Sequence, residues 1–442
     1  MLVEKPSRIL IVGGGVAGIT AAYVLSSKHQ VTLIERNDYL GGHTNTRVVQ
    51  DPLNARLSVD TGFIVCNPRN YPNFYRFLDQ IGVQRQDSDM SFGFSCEKTG
   101  LQYMGPSIAE FLRAPANLCS PKFLSMIFEQ QRFSRRALKD LRLGRLGEVP
   151  LGEYLKRVGT SQFFFDNYLA PLIGSIWSAP DSNAMQFPAL SFLTFFNNHG
   201  MLEMSQRPQW QTIVGGSHSY IKAFRERFAG ELRINKRAMR LERTDNGIVL
   251  HTEGAGPEFF DKVVIATHAD EALGLLSDPS DEEKRMLGAW NYSKNRTVLH
   301  TDASVLGPRK RLWAAWNYKR RVTSKADSPV AITYYMNKLQ RLRAARDYFV
   351  TLNCADEIDA RSILYEVEYT HPIYTPDSPI SQEGIRRLNG TRHTFFCGAY
   401  MRYGFHEDAV VSGLEVARSF GLSLDDTETR ARRGERELAY AN

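Results

Sequence analysis

Cysteine is scarce and scattered: the chain of 442 residues carries five, Cys66, Cys96, Cys119, Cys354 and Cys397, with no C-x-x-C pair. An odd, dispersed set argues against a disulfide framework, a zinc ribbon and a redox-active dithiol, and points to a reducing compartment. The expected home is the cytoplasm. Long hydrophobic runs are missing as well. No window approaches the roughly 18 to 20 apolar residues that a spanning helix requires. The early run Ile9 to Val12 meets three glycines at once and no small-residue cleavage site, so it does not read as a signal peptide.

Strong charge of either sign is also absent. Lys plus Arg (55) against Asp plus Glu (48) leaves +7, which suits an anionic small molecule, an anionic membrane surface or nucleic acid and selects none of them. There is no nucleic-acid module and no regular interleaving of aromatic and basic residues, so nucleic acid is not an expected partner. No metal is expected either, because the three consecutive residues of His406-Glu407-Asp408 cannot converge on one ion from a helix. What is present is an ordinary globular composition, 43% apolar and 23% charged, with enough length for two or more folded units.

Residues 7 to 37 read as strand, tight glycine turn, helix and strand. In Gly13-x-Gly15-x-x-Gly18, the first glycine permits the turn, the second lets backbone approach a pyrophosphate, and the third allows close helix–sheet packing. The helix N-terminus then holds phosphate charge. Glu35 closes the second strand, placed to accept hydrogen bonds from a ribose. This is a dinucleotide site.

Further on come Gly41-Gly42 in "ERNDYLGGHTNT", Asp60-Thr61-Gly62 in "LSVDTGFIV", the block "WQTIVGGSHSYIKAF", the pair "INKRAMRLERTDNGIVLHT" and "FDKVVIATHAD", and the closing "CGAYMRYGFHEDAVVSG". In this order the blocks resemble the flavin-containing amine oxidase superfamily. The resemblance implies an α/β fold: a Rossmann-like FAD-binding domain of the amine oxidase/glutathione reductase type, with an interleaved α+β substrate-binding domain. It places FAD binding in 1–75, 205–270 and 385–425, the substrate domain in 76–204 and 271–384, and a charged tail in 426–442. Its implied FAD contacts, besides the glycine turn and Glu35, are Val16, Ala17, Arg36, Gly41, Gly42, His43, Thr44, Asp60, Gly62, Phe63, Ala238, Ala266, Gly398, Ala399, Phe405, His406 and Ala409. His43 stands where the family commonly has Arg, and Ala399 and Asp408 also depart from its pattern.

Finer details, such as "LIGSIWSAP", "FFNNHGML", "WAAWNY" and "TYYMNKLQ", are similar to a bacterial subgroup found beside fatty-acid methyltransferases. That resemblance implies desaturation of a methyl-branched acyl lipid and a methyltransferase partner. An amine oxidase and a non-catalytic, lipid-presenting flavoprotein are the alternatives. No second glycine fingerprint follows, so the substrate is expected to reduce the flavin, with O2 or another acceptor reoxidising it.

A desaturase needs a group to take a proton. His43 and His406 are the histidines expected nearest the ring, each a candidate base near neutral pH or a packed histidine; Phe405 aligns with an aromatic wall beside the flavin. The Phe-rich stretches "FFFDNYLAPLIGSIWSAP" and "FPALSFLTFFNNHG" read equally as core or as the wall of an apolar tunnel. Between Gln131 and Arg145 lie six cations and one acid. On a helix they form either a solvated face or one that rests on anionic lipid, at the inner surface of the cytoplasmic membrane.

Overall fold

The computed structural model describes residues 6–105, 108–111, 113–147, 149–177, 185–202, 208–322 and 330–427. Ser178 and the tail from residue 428 lie outside them. Strand β1 (Arg8–Val12) is apolar and buried from Ile9 onward, which suits a strand covered on both faces. It pairs in parallel with β2 (Gln30–Ile34) on one side and β4 (Lys262–Ile265) on the other. β3 (Glu231–Arg233) extends the sheet beyond β2, and β5 (Thr394–Phe396) beyond β4. The order is β3-β2-β1-β4-β5.

Helix α1 (Val16–Leu25) connects β1 to β2, and α2 (His406–Ser419) follows β5. The two helices pack together, with Ala17, Ala21, Val410 and Leu414 in one buried cluster. Both begin near the carboxyl ends of the parallel strands, where open sheets of this kind bind ligands.

A three-stranded antiparallel sheet (Ala238–Thr244, Gly247–Thr252, Glu258–Phe260) precedes β4. A second large sheet has seven strands, in the spatial order Ile363–Ile373, Asn291–His300, Phe349–Leu352, Ala331–Tyr335, Trp316–Arg320, Phe92–Cys96 and Gln102–Gly105. Segments from 76–204 and 271–384 thus share one sheet. Helices Pro121–Arg142, Leu151–Val158 and Ala189–Asn198 add an aromatic core in which Phe123, Phe164, Phe192 and Phe196 are buried. The amphipathic stretch after Tyr71 forms helix Pro72–Gln80, with Phe74, Phe77 and Leu78 inward. Among the described residues no helix is long and apolar enough to cross a membrane.

Candidate active site

The glycine turn at the end of β1 is built by contacts that leave no room for side chains. Gly13 has φ +108°, and a Cβ there would lie 2.8 Å from the Ala266 carbonyl oxygen. The Gly14 amide donates to Glu35 Oε2 at 2.7 Å, and the Asn37 amide donates to Oε1 at 2.9 Å. Glu35 therefore braces the turn while still lining the cavity beside it. A Cβ on Gly18 would meet the Gly13 carbonyl oxygen at 2.0 Å, so this position serves helix–turn packing. Gly15 is the opposite case: nothing lies within 4 Å of where its Cβ would stand. It opens onto the cavity, at the N-cap of α1, where no side chain caps the helix amides.

The cavity measures about 820 Å³, within the usual range for ligand sites. Every residue expected at the cofactor lines it except Gly18, Thr44 and Asp60. Asp60 is fully buried and accepts from Thr46 Oγ1, the Ser217 amide and hydroxyl, and Gln340 Nε2. Burial pushes its carboxyl up to about 6, while the Thr46 and Ser217 donors pull it down. It ties three distant segments together. Thr44 is buried behind the wall, its hydroxyl bonded to Tyr220. Both are corrections: the acid before Gly62 and the hydroxyl after His43 are consumed by the scaffold.

His406 opens α2 and lies flat on Phe63, and its Nε2 meets the Tyr220 hydroxyl at 2.9 Å. Burial pushes the imidazole down to about 3. Of the two readings open for it, base or packed histidine, the stack on Phe63 and the engagement of Nε2 by Tyr220 favour the packed ring. Its neighbours are turn-builders. Glu407 accepts from the Asn73 and Phe74 amides, and Asp408 from the Tyr403 and Phe405 amides. Among the described residues there is no metal-binding cluster.

His43 is different. Burial, with His371 and His268 nearby, holds it well below its ordinary value, so it is neutral; a hydrogen bond to the Thr370 backbone opposes that shift. Its Nε2 is buried with no partner. Its ring stacks on Tyr369 (5.0 Å, 27°) and on His371 (5.4 Å, 29°). His371 is oriented in turn by a chain of amides. Asn353 Nδ2 donates to Asn295 Oδ1, so Asn295 Nδ2 faces His371 Nδ1 at 3.2 Å and the proton of a neutral ring sits on Nε2. His371, Tyr369 and His268 line the same cavity, and sequence reasoning missed all three. The alternation in "LYEVEYTH" marks a strand with two unlike faces, the one available hint.

The lining mixes charged and apolar residues. Among the described lining residues the charged ones are Glu35, Arg36, Lys236, Arg237, Glu271 and Glu368. A group of the lining residues is uncharged and packed together: Trp316 and Tyr334 are in ring contact, Leu352 shares their apolar cluster, and Ile176 joins them in a second one. Phe405 lines the cavity with Phe195 of the second Phe-rich stretch stacked on it at 4.6 Å, while Ser175 and Ile176 of the first line the cavity themselves.

Comparison with known proteins places this geometry. The pattern of the flavin containing amine oxidoreductases matches residues 16–313, well over half of the chain. The chain belongs to the flavin-containing amine oxidoreductase family. Its cofactor is FAD. An L-amino-acid oxidase of Siganus canaliculatus is 22% identical over 325 residues, 68% of this chain and 58% of that protein. One from Pseudechis australis is 36% identical over 76 residues, 17% of this chain and 13% of that one. The chain thus spans less than two thirds of the length of these curated relatives. Among solved structures of this fold, a CLA-producing fatty acid isomerase from P. acnes has a TM-score of 0.69 at 16% identity, covering 94% of this chain and 99% of that one. Cyclohexylamine oxidase from Brevibacterium oxydans has a TM-score of 0.65 at 12% identity, covering 96% and 100%.

The residues fit the family's cofactor. Gly15 leaves space where a side chain would stand, and the uncapped amides of α1 suit a pyrophosphate. Arg36, Lys236 and Arg237 give the same end cationic character. In this flavin-containing family member, Gly42, His43, Gly62, Phe63, Gly398 and His406 would hold the ring end.

Proposed function

We propose that this FAD-dependent oxidoreductase introduces unsaturation into the acyl chain of a lipid. The supporting observation is the uncharged group of lining residues formed by Ile176, Trp316, Tyr334 and Leu352. An amino acid or polyamine would bring a carboxylate or ammonium there, and an unpaired buried charge costs several kcal/mol. An acyl chain instead gains about 0.8 kcal/mol for each methylene it buries. The fold shared with the P. acnes fatty acid isomerase supports an acyl ligand.

Bound FAD supplies a two-electron acceptor for hydride from a substrate carbon. His43 Nε2, buried and unpartnered, is assigned to accept the accompanying proton. His371 and Tyr369 hold its ring by stacking. Trp316, in the apolar group of the lining, carries an indole N–H that is buried without a partner and free to donate to the polar head of the substrate. The aromatic walls exclude water from the reacting carbons.

The test is incubation under air with a methyl-branched, mono-unsaturated phospholipid, read by mass spectrometry. Loss of two hydrogens from the acyl chain is expected. A parallel panel of amino acids, monoamines and polyamines is scored for peroxide; turnover of amines with no change in the lipid would overturn the reading in favour of an amine oxidase, which the likeness to the L-amino-acid oxidases supports.

A further inference from the structure

Helix Pro121–Arg142 has two unlike faces. Phe123, Met126, Phe133 and Ala137 point into the aromatic core. Outward, Phe128 is 71% exposed and Leu124 37%, and Leu143, just past the last turn, is 51% exposed. One turn on begins a run of cations, Arg132, Arg135, Arg136, Lys139 and Arg142, followed by Arg145. At 100° per residue Leu124, Phe128, Arg135, Lys139 and Arg142 share a single stripe.

The acids of this segment do not neutralise that stripe, because they are spent inward. Glu129 accepts from the Ser161 amide and hydroxyl, and Asp140 from Arg136 and the Tyr154 hydroxyl. Arg135, Lys139 and Arg142 have no ion pair among the described residues, and all three are exposed. An isolated exposed Phe is ordinary on a soluble surface. An exposed Phe and Leu pair continuous with unpaired cations is the composition of a helix lying in a lipid interface.

We propose that this stripe docks the protein on an anionic phospholipid bilayer, with Phe128 and Leu124 entering the headgroup boundary and the cations meeting lipid phosphates. Charge complementarity selects this occupant: long cationic side chains reach anionic headgroups while their stems cover apolar surface. The helix packs on Ala189–Asn198, whose Phe195 backs Phe405 at the cavity wall, so docking sets the cavity one helix away from the membrane. The docking does not depend on which molecule is oxidised.

Co-sedimentation of the full-length, FAD-loaded protein with vesicles tests it. Phosphatidylglycerol vesicles should capture the protein, pure phosphatidylcholine vesicles should not, and raising salt should release it. The substitution R135Q/K139Q/R142Q should weaken partitioning by about a hundredfold, at roughly fivefold for each cation. F128S should weaken it at every salt concentration. Flavin absorbance of each variant reports that the fold is intact. Absence of capture by the anionic vesicles, or equal capture of the triple variant, would overturn the proposal; so would equally tight binding to a homopolymeric RNA.

Discussion

His406 and Phe63 are stacked with ring centroids 3.6 Å apart and planes 8° from parallel. They join the first helix turn of α2 to the loop after Asp60, across a chain separation of more than 340 residues. With its imidazole pushed down to about 3, His406 is neutral throughout the working range. The acid limb of kcat/KM should therefore be the same in H406Q as in the parent between about pH 5 and 9, although FAD retention should fall. Disappearance of that limb in H406Q would show that the residue titrates in the reaction.

His43 carries the opposite expectation. H43Q keeps a polar side chain beside Gly42 but loses the imidazole lone pair. It should retain bound FAD and lose roughly 100- to 10,000-fold in the rate of flavin reduction, the usual worth of a positioned acid or base. Stopped-flow measurement separates this from a binding defect, which would appear as lost flavin absorbance.

The glycine turn offers a paired test. G13A puts a Cβ 2.8 Å from a backbone oxygen at a positive φ and should unfold or strongly destabilise the chain. G15A meets nothing in the protein, so its apo melting temperature should match the parent within error while FAD affinity drops. Equal FAD affinity in G15A would mean that the cofactor does not pass over that turn.

Asp60 should matter to stability and not to chemistry. D60A strands the Thr46, Ser217 and Gln340 donors in a dry interior, at a cost of about 3 to 5 kcal/mol in denaturant titrations. The folded fraction should keep the parent flavin spectrum.

Asp408 should leave a signature in the pH dependence of stability. Burial pushes it up to about 7, against about 3.9 for an exposed Asp. Between those values the folded chain binds more protons than the unfolded one. This contribution is therefore largest below about pH 4 and is lost as pH rises through 7. D408N keeps an acceptor for the Tyr403 and Phe405 amides but does not titrate, so its unfolding free energy should fall less between about pH 5 and 8 than the parent's.

Much of the architecture was legible because it is local. The apolar run, glycine turn and helix over residues 8–25 each follow from neighbours in sequence, and so does the basic helix after Pro121. The roles of single polar residues were not legible, since their partners arrive from far away. Asp60 meets Ser217 and Gln340, and His406 meets Tyr220, none of which periodicity can reveal. The histidine cluster was hidden for the same reason: His371 becomes notable only when a strand of the second large sheet sets it against His43.

The most direct measurement of the central claim is anaerobic mixing of the FAD-loaded protein with excess methyl-branched, mono-unsaturated phospholipid while flavin absorbance is followed. The account predicts bleaching at a rate that H43Q slows at least a hundredfold, with a new double bond formed for each flavin reduced. An unbleached flavin with this lipid, together with rapid bleaching by an amine, would contradict it.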